Sequence, residues 1–256
     1  MQRYRPLMEF EGPRTAIVTG GARRIGAELV RALGADGWHV LIHFNRSASE
    51  AQALAAEIGN ASTVQAELAE ADSAERIFAA TEKLPPVRLL VNNASIFDQD
   101  SAGDFSPEGW DRHLDINLRA PALLSKAFAD QLTARSGLIV NLLDAKLTAL
   151  NPDFFSYTIS KIGLAGLTEL TARAFAPRIR VCAIAPSVTM VSGPQSRENF
   201  AQVHRLNALE RGVDVSEIVS ALRFIVTTPT LTGQTITLDG GQRFLGLPRD
   251  VQFLET

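Results

Sequence analysis

Cysteine is nearly absent from this sequence, since its 256 residues include only Cys182. A single cysteine forms no disulfide within the chain, and the apolar neighbours of Cys182 predict a buried strand residue rather than a reactive thiol. The sequence also lacks any run near the ~18 apolar residues of a membrane span, and its charged first residues lack the apolar stretch of a signal peptide. We therefore expect a soluble, cytoplasmic protein in a reducing compartment, with no membrane partner.

An excess of charge of one sign is also missing. The formal net charge is −3, and the basic residues are scattered along the chain rather than gathered into runs. Binding to nucleic acid is therefore not expected. The spacing of the histidines is not that of metal ligands, so we expect no metal site. The four histidines are His39, His43, His113 and His204.

The sequence does contain an alternation of short apolar runs and amphipathic stretches. Hydrophobic residues make up 46% of the chain, which is enough for one sizeable core. Alanine and leucine recur at helical spacing in 47–59, 71–83 and 156–175. The apolar runs predict strands at 15–19, 38–44, 62–66, 88–92, 137–143, 179–185 and 234–238. This rhythm predicts an arm at 1–13 and a single α/β domain at 14–256, with a doubly wound, Rossmann-type parallel sheet of about seven strands.

A glycine-containing turn follows the first predicted strand. The segment T-G-G-A-R-R-I-G runs from Thr19 to Gly26 and opens a helical stretch. Gly20 permits a tight turn and Gly26 permits close packing of the helix, whose N-terminus offers unpaired N–H groups to a pyrophosphate. The order of strand, turn and helix therefore favours a dinucleotide site, although an ordinary turn with two glycines remains an alternative on this segment alone.

The end of the second predicted strand indicates which dinucleotide binds. A site for NAD places an acid there to bind the ribose hydroxyls, whereas this chain has Asn45, Arg46 and Ser47 and no carboxylate before Glu50. Arg46 and Ser47 can hold a 2′-phosphate, and Arg23 of the first loop can add a second guanidinium. Each arginine taken alone is also compatible with a solvated surface position. Together with the missing acid they predict NADPH as the cofactor.

Tyr157 and Lys161 are four residues apart in a predicted helix, in the segment Y-T-I-S-K. This spacing places both side chains on one face of the helix. We expect the ammonium group to lower the pKa of the tyrosine and so make Tyr157 a better proton donor near neutral pH. The alternative for an isolated pair of this kind is a partly buried tyrosine beside a solvated lysine.

Taken together, the motifs resemble those of the short-chain dehydrogenase/reductase family over about residues 14–243. The resemblance rests on T-G-x-x-x-x-x-G at 19–26, N-N-A-S at 92–95, Asn117 in D-I-N-L-R-A-P, Y-T-I-S-K at 157–161, A-P-S at 185–187 and T-G-Q-T-I-T-L-D-G-G at 232–241. It implies that Tyr157 and Lys161 are catalytic and that Asn117 supports a proton-relay water. It also implies a homotetramer, assembled through helices near 106–131 and 155–176 and the C-terminal strand region. The implied cofactor contacts are Gly20, Arg23, Arg24, Ile25, Gly26, Asn45, Arg46, Ser47, Glu67, Leu68, Asn93, Ala94, Ser95, Tyr157, Lys161, Pro186 and Ser187.

Two departures from the common family pattern resemble the pteridine reductases, including the branch similar to dihydromonapterin reductase. The usual catalytic serine is Asp144, and the glycine or alanine in the middle of the phosphate loop is Arg24. By this resemblance Arg24 spans cofactor phosphate and substrate, Asp144 works beside Tyr157, and Phe97 stacks on a pterin. A flat pterin needs an aromatic platform and polar partners at its edges, and Phe97, Ser95 and Arg24 can supply them.

These residues predict a reductase of a pterin, dihydropterin or folate-like substrate, in which Tyr157 and Asp144 assist protonation as a ring C=N is reduced. Four alternatives stay open. Phe97 can be a core or loop-anchoring aromatic, and Asp144 can be a carboxylate that caps the next helix or pairs with Lys146. The enzyme can also be a carbonyl reductase acting on a ketone or quinone, or the protein a dinucleotide-binding sensor without catalysis. The segment 188–212 is predicted to cover the substrate.

Overall fold

The strands form one parallel sheet at the centre of the molecule. The computed structural model describes residues 10, 12–132, 136–191 and 195–254. Its strands are β1 (Thr15–Val18), β2 (His39–Phe44), β3 (Ala61–Gln65), β4 (Val87–Asn92), β5 (Gly137–Leu142), β6 (Ile179–Pro186) and β7 (Thr235–Leu238). They lie in the order β3-β2-β1-β4-β5-β6-β7, and neighbouring strands are parallel. The prediction of a doubly wound, seven-stranded sheet is therefore confirmed.

Helices cover both faces of this sheet. They are α1 (Arg24–Ala35), α2 (Ala48–Ile58), α3 (Ser73–Ala79), α4 (Pro107–Leu114), α5 (Ala120–Gln131), α6 (Phe155–Phe175), α7 (Arg197–Val203) and α8 (Val215–Thr227). Helices α1, α2 and α8 pack on one face, and α3, α5 and α6 pack on the other. In the described part of the chain, none of the helices is both long and apolar enough to cross a membrane.

Successive residues of β1 point to opposite faces, and both faces are buried. Val18 packs with Ile42 in the core beneath α1, whereas Ile17 packs with Leu41 in the core on the other side of the sheet. All four side chains are fully buried. Because a parallel sheet covered on both sides has no solvent-facing row, its strands read in the sequence as continuous apolar runs.

The structure changes one predicted boundary and describes only parts of two other predicted segments. Helix α3 ends at Ala79 rather than at 83, because Thr81 turns the chain back and donates through its N–H and its hydroxyl to the carbonyl of Phe78. Most of the predicted arm lies outside the described residues, but Phe10 is buried with its ring edge-on to Trp38. In the predicted cover at 188–212, residues 192–194 lie outside the described residues and the rest contains α7.

The position of the functional site follows from the strand order. The chain moves outward from β1 through β2 to β3 and then returns to β4 on the other side of β1. The connections that leave β1 and β4 at their carboxyl ends therefore diverge to opposite faces of the sheet and leave a crevice between them, which is where open parallel sheets bind ligands. The segments that follow β1, β4, β5 and β6 meet at this edge.

Candidate active site

A cavity of about 610 Å³ lies at this edge of the sheet. Most of the residues predicted from the sequence line it, whereas Arg46, Ser47 and Asn117 do not. The predicted residues in its wall are Gly20, Arg23, Arg24, Ile25, Gly26, Asn45, Glu67, Leu68, Asn93, Ala94, Ser95, Phe97, Asp144, Tyr157, Lys161, Pro186 and Ser187.

The loop after β1 is fixed to the loop after β4. The side-chain amide of Asn93 donates to the carbonyls of Thr19 (2.8 Å) and Gly20 (3.2 Å), and the hydroxyl of Thr19 accepts from the N–H groups of Asn93 and Ala94 at 3.0 Å each. Gly26 cannot be replaced here, because a Cβ atom on it would clash with the carbonyl oxygen of Gly20. The turn is therefore held rigidly with its backbone at the cavity.

His43 also supports this loop, which the sequence did not indicate because His43 lies within an apolar strand run. Its Nδ1 accepts from the N–H of Gly20 at 3.1 Å, and its Nε2 lies 3.1 Å from the carbonyl oxygen of Ala66. A backbone N–H must donate and a carbonyl must accept, so the ring is neutral with its proton on Nε2. Burial lowers the pKa of His43 to about 4, which preserves this neutral form at physiological pH.

These features fit the pyrophosphate and adenosine parts of a dinucleotide. The cradle of Gly20 and Gly26 carries no Cβ that would obstruct a phosphate, and the N-terminus of α1 opens at the same place. At the adenosine end, the amide of Asn45 donates to Glu67 at 2.6 Å. The Arg23 guanidinium lies 3.8 Å from Glu50, and both side chains are exposed, so a phosphate can compete with this weak surface pair.

Arg24 has a strained backbone and a side chain that crosses the cavity. Its φ is +55°, in the left-handed region that favours glycine. Its Nη1 donates to the carbonyl of Val191 at 2.7 Å, which links the start of α1 to the segment after β6. Strained residues of this kind are frequent at ligand sites, and here the strain accompanies a guanidinium group in the wall of the cavity.

Replacing Arg24 with Gly is therefore expected to separate stability from binding. Glycine removes about 1–2 kcal/mol of left-handed strain, which offsets the lost hydrogen bond to Val191, so thermal unfolding should change little. The affinity for NADPH should fall by about tenfold, the usual effect of losing one charge-assisted hydrogen bond. Arg24→Ala is the matched control, because it loses the same guanidinium but keeps the Cβ. We expect Arg24→Ala to bind equally weakly and to unfold at a lower temperature, and the opposite order of stability would contradict the strain argument.

The C-terminal end of β5 and helix α6 bring Asp144, Tyr157 and Lys161 together. The hydroxyl of Tyr157 donates to Asp144 Oδ2 at 2.7 Å. Asp144 Oδ1 accepts from the backbone N–H of Lys146 at 2.8 Å, which fixes the carboxylate at the start of a short 3-10 helix, Ala145–Thr148. Lys161 Nζ donates to the carbonyl of Leu142 at 2.8 Å. Asp144 thus both caps the next turn and binds the tyrosine, and its contact with Lys146 is through the backbone.

The charges around Tyr157 correct one expectation. Burial raises the pKa of Tyr157 well above its ordinary value, and the charge of Asp144 and its hydrogen bond raise it further. The net shift of the Tyr157 pKa is therefore upward in this structure, contrary to the lowering expected from the sequence. Burial also lowers the pKa of Lys161 to about 8, against the charge of Asp144. The tyrosine keeps its proton, and that proton is directed at Asp144.

Asn117 lies behind the site rather than in its wall. It is fully buried in a π-helical turn, Asp115–Arg119, between α4 and α5. Its Nδ2 donates to the carbonyl of Ile96 and to Ser160 at 3.0 Å each, and its Oδ1 accepts from Ile96 (2.9 Å) and Ser95 (3.2 Å). These four bonds use the hydrogen-bonding capacity of the amide. The relay role remains a prediction, and a water at Asn117 would have to bind its backbone.

Phe97 lies between Tyr157 and a second aromatic ring. It stacks on Phe154 at 4.0 Å between centroids and lies edge-on to Tyr157 at 4.7 Å. The contact with Phe154 fits the loop-anchoring interpretation, which remains open beside the substrate-stacking one. Phe97 also lines the main cavity and a smaller adjoining one of about 330 Å³, so part of its surface remains open to a ligand.

Comparisons with known proteins agree with this geometry. The family model for short chain dehydrogenase matches residues 14–202. A 3-oxoacyl-[acyl-carrier-protein] reductase of Synechocystis sp. is 32% identical over 238 residues, which is 89% of this chain and 96% of the relative. The crystal structure of FolM alternative dihydrofolate reductase 1 from Brucella canis, complexed with NADP, is 42% identical and has a TM-score of 0.87, covering 90% of this chain and 94% of that one. The angucycline C-6 ketoreductase LanV with bound NADP is 26% identical with a TM-score of 0.83, covering 90% and 96%.

Proposed function

This chain belongs to the short-chain dehydrogenase family, and we propose that it is an NADPH-dependent reductase of a pterin, dihydropterin or folate-like substrate. The observation that carries the proposal is the 2.7 Å hydrogen bond between Tyr157 and Asp144, at the position where the common family pattern has a serine. The 42% identity to a FolM alternative dihydrofolate reductase supports the same substrate class. The NADP in that structure and in LanV supports the choice of cofactor.

The reaction needs a hydride from the cofactor, and a proton and a binding surface from residues of this chain. Bound NADPH supplies the hydride that reduces the ring C=N bond. Tyr157 holds a proton on its hydroxyl at the cavity and delivers it to the ring nitrogen, while Lys161 stabilises the negative charge left on the phenol oxygen. The carboxylate of Asp144 accepts the Tyr157 hydrogen bond before the reaction. After the transfer it can take up a proton from water and pass it along that bond to the phenolate, which restores the donor. Neighbouring Phe97 supplies an apolar surface for a flat ring.

A carbonyl reductase is the second candidate, and the 32% identity to a 3-oxoacyl-[acyl-carrier-protein] reductase favours it. The pair Tyr157 and Lys161 suits either reaction, because both consume a hydride and a proton. A dinucleotide-binding sensor without catalysis is disfavoured, since Tyr157, Lys161 and Asp144 are assembled in the wall of one cavity.

Oxidation of NADPH by the purified protein separates these functions. Three reactions are followed in parallel, with a dihydropterin, with a 3-oxoacyl thioester or simple ketone, and without substrate. We expect the dihydropterin to give the highest kcat/KM. Turnover of only the carbonyl compounds would replace the proposed substrate with the second candidate, and no turnover with any of them would favour the sensor.

Discrimination between NADPH and NADH tests the cofactor assignment. The Arg46→Ala, Ser47→Ala double variant is expected to bind NADPH about tenfold more weakly, because it loses a charge-assisted contact with the 2′-phosphate. Arg46 is exposed and lies outside the cavity wall, so the effect should weaken as salt is added. Affinity for NADH is the internal control, since NADH has no 2′-phosphate. An unchanged affinity for NADPH would remove these two residues from the site.

We also propose a cytoplasmic homotetramer. Helix α6 lies in one of the segments expected to form the interface, and it exposes Ile162 (42%) and Leu170 (67%). Apolar side chains exposed along one helix suit a contact with a second copy of the chain. Light scattering during gel filtration measures the mass of the assembly directly.

A further inference from the structure

The C-terminal segment forms part of the cavity wall and is fixed there by an ion pair. Arg249 Nε donates to both carboxylate oxygens of Asp153, at 2.9 and 2.8 Å. The N–H of Asp250 donates to Asp153 Oδ2 at 2.7 Å. The side chain of Asp153 is 10% exposed and that of Arg249 is 52% exposed, so the ion pair joins a mostly buried carboxylate to a half-exposed guanidinium. The side chain of the next residue, Asp250, is thereby held at the cavity.

The Asp250 carboxylate is mostly buried and has two protein partners. Its Oδ1 accepts from the N–H of Gln252 at 3.1 Å, and its Oδ2 lies 3.4 Å from Lys146 Nζ. The two charged side chains are 15% and 7% exposed. Lys146 is itself fixed, because Nζ donates to the carbonyl of Asp153 and lies 5.2 Å from the ring centroid of Phe154. An ionised carboxylate has about four acceptor sites, so Asp250 keeps capacity for a ligand.

Asp250 belongs to the same electrostatic environment as the catalytic pair. Burial and the charge of Asp144 raise the pKa of Asp250, whereas Lys146 lowers it. Asp250 in turn contributes to the raised pKa of Tyr157. A carboxylate kept in such a site is costly to desolvate unless donors compensate it. Lys146 supplies one donor, and a bound molecule with N–H groups can supply more.

We propose that Asp250 is a substrate-binding residue that accepts hydrogen bonds from a ring N–H and an adjacent amino group, the donor edge of a 2-amino-pyrimidinone ring. Two parallel N–H donors match the two oxygens of a carboxylate, and the ionised acceptor makes these bonds strong. Lys146 acts as a positioning residue that holds the Asp250 carboxylate. The inference rests on the proposed function, because it specifies which edge of a pterin-like substrate faces the C-terminal segment.

The test changes the carboxylate and the amino group separately. Asp250→Asn removes the charge and keeps an acceptor for Gln252, and the substrates are a dihydropterin and its desamino analogue, which has hydrogen in place of the 2-amino group. We expect the variant to raise KM for the dihydropterin by about 10- to 100-fold with kcat changed much less, as for the loss of a charged hydrogen bond. KM for the desamino analogue should differ little between variant and wild type. Arg249→Ala is the matched control, because it removes a charge next to Asp250 while the N–H of Asp250 still binds Asp153. It should raise KM for the dihydropterin much less than Asp250→Asn does.

Binding of oxidised pterin, measured by calorimetry in the presence of NADP⁺, keeps the two proposals distinguishable. Weaker binding to Asp250→Asn without turnover of dihydropterin by the wild type would support the role of Asp250 and overturn the proposed reaction. If the wild type reduces the dihydropterin with the same KM as Asp250→Asn, only the role of Asp250 is overturned. The same follows if Asp250→Asn raises KM equally for the dihydropterin and its desamino analogue. If Asp250→Asn does not fold, the wild type alone decides, since equal affinity for pterin and its desamino analogue would exclude a contact with the amino group.

Discussion

The Tyr157→Phe protein is expected to retain its affinity for NADPH and to lose kcat by about 10²- to 10⁴-fold, the usual contribution of a positioned proton donor. The substitution removes the hydroxyl that donates to Asp144 at 2.7 Å and keeps the ring that contacts Phe97 edge-on. Little packing is lost, so the binding site should keep its shape. Steady-state turnover and fluorescence titration of NADPH measure the two effects separately.

Lys161→Ala provides the comparison for this result. Lys161 is buried, and its ammonium group bonds the carbonyl of Leu142, so its removal should weaken both turnover and cofactor binding. Nearly normal turnover in Tyr157→Phe would mean that the proton comes from another group, and Asp144 would be the first to examine. Equal loss of NADPH affinity in both variants would mean that the Tyr157 hydroxyl binds the cofactor more than it donates a proton.

The architecture could be predicted from the sequence because burial on both faces leaves a simple pattern. The central strands of the sheet read as short apolar runs, and none of the predicted strand ends differs from the observed one by more than one residue. The end of α3 could not be predicted, because it depends on the turn at Thr81 and not on hydrophobic spacing. The π-helical turn around Asn117 was also missed, since nothing in the periodicity distinguishes it from the helices on either side.

The candidate site was predictable where its residues follow strand ends or share a helix face. Tyr157 and Asp144 are thirteen positions apart, and the fold joins the end of β5 to the start of α6 so that they meet. His43 and Asp250 gave no such signal. One is a polar residue inside an apolar strand, and the other reaches the cavity only because the distant Asp153 binds the C-terminal segment. Contacts between segments far apart in sequence leave no local pattern.

The Asp144→Ser protein is expected to lose kcat/KM for a dihydropterin about 10²-fold more than for any carbonyl compound that the enzyme accepts. Serine restores the usual family residue. It also removes the carboxyl group that accepts the Tyr157 hydrogen bond and that can pass a proton back to the phenolate. The pKa of Tyr157 should fall, because the charge and the hydrogen bond of Asp144 both raise it. Measuring kcat/KM for both substrates against pH tests the selectivity and the pKa together.

A loss of stability in the Asp144→Ser protein should not account for the loss of activity. Asp144 Oδ1 accepts the N–H of Lys146 at the start of a 3-10 turn, and serine is a comparably good residue at such a position. The free energy of unfolding should therefore change by less than about 1 kcal/mol. Equal losses of kcat/KM for the dihydropterin and the carbonyl compound would show that Asp144 is a general part of the proton donor, and the argument for a pterin from this residue would fail.

The double variant Tyr157→Phe, Asp144→Ser decides whether the two residues act as one unit. If the proton passes between them along the 2.7 Å bond, removing either oxygen interrupts the same transfer. The double variant should then reduce dihydropterin about as slowly as Tyr157→Phe alone, because losses within one functional unit are not additive. If the fold-losses of the two single variants multiply in the double variant, Tyr157 and Asp144 contact the substrate independently. Asp144 would then bind the ring and Tyr157 would supply the proton.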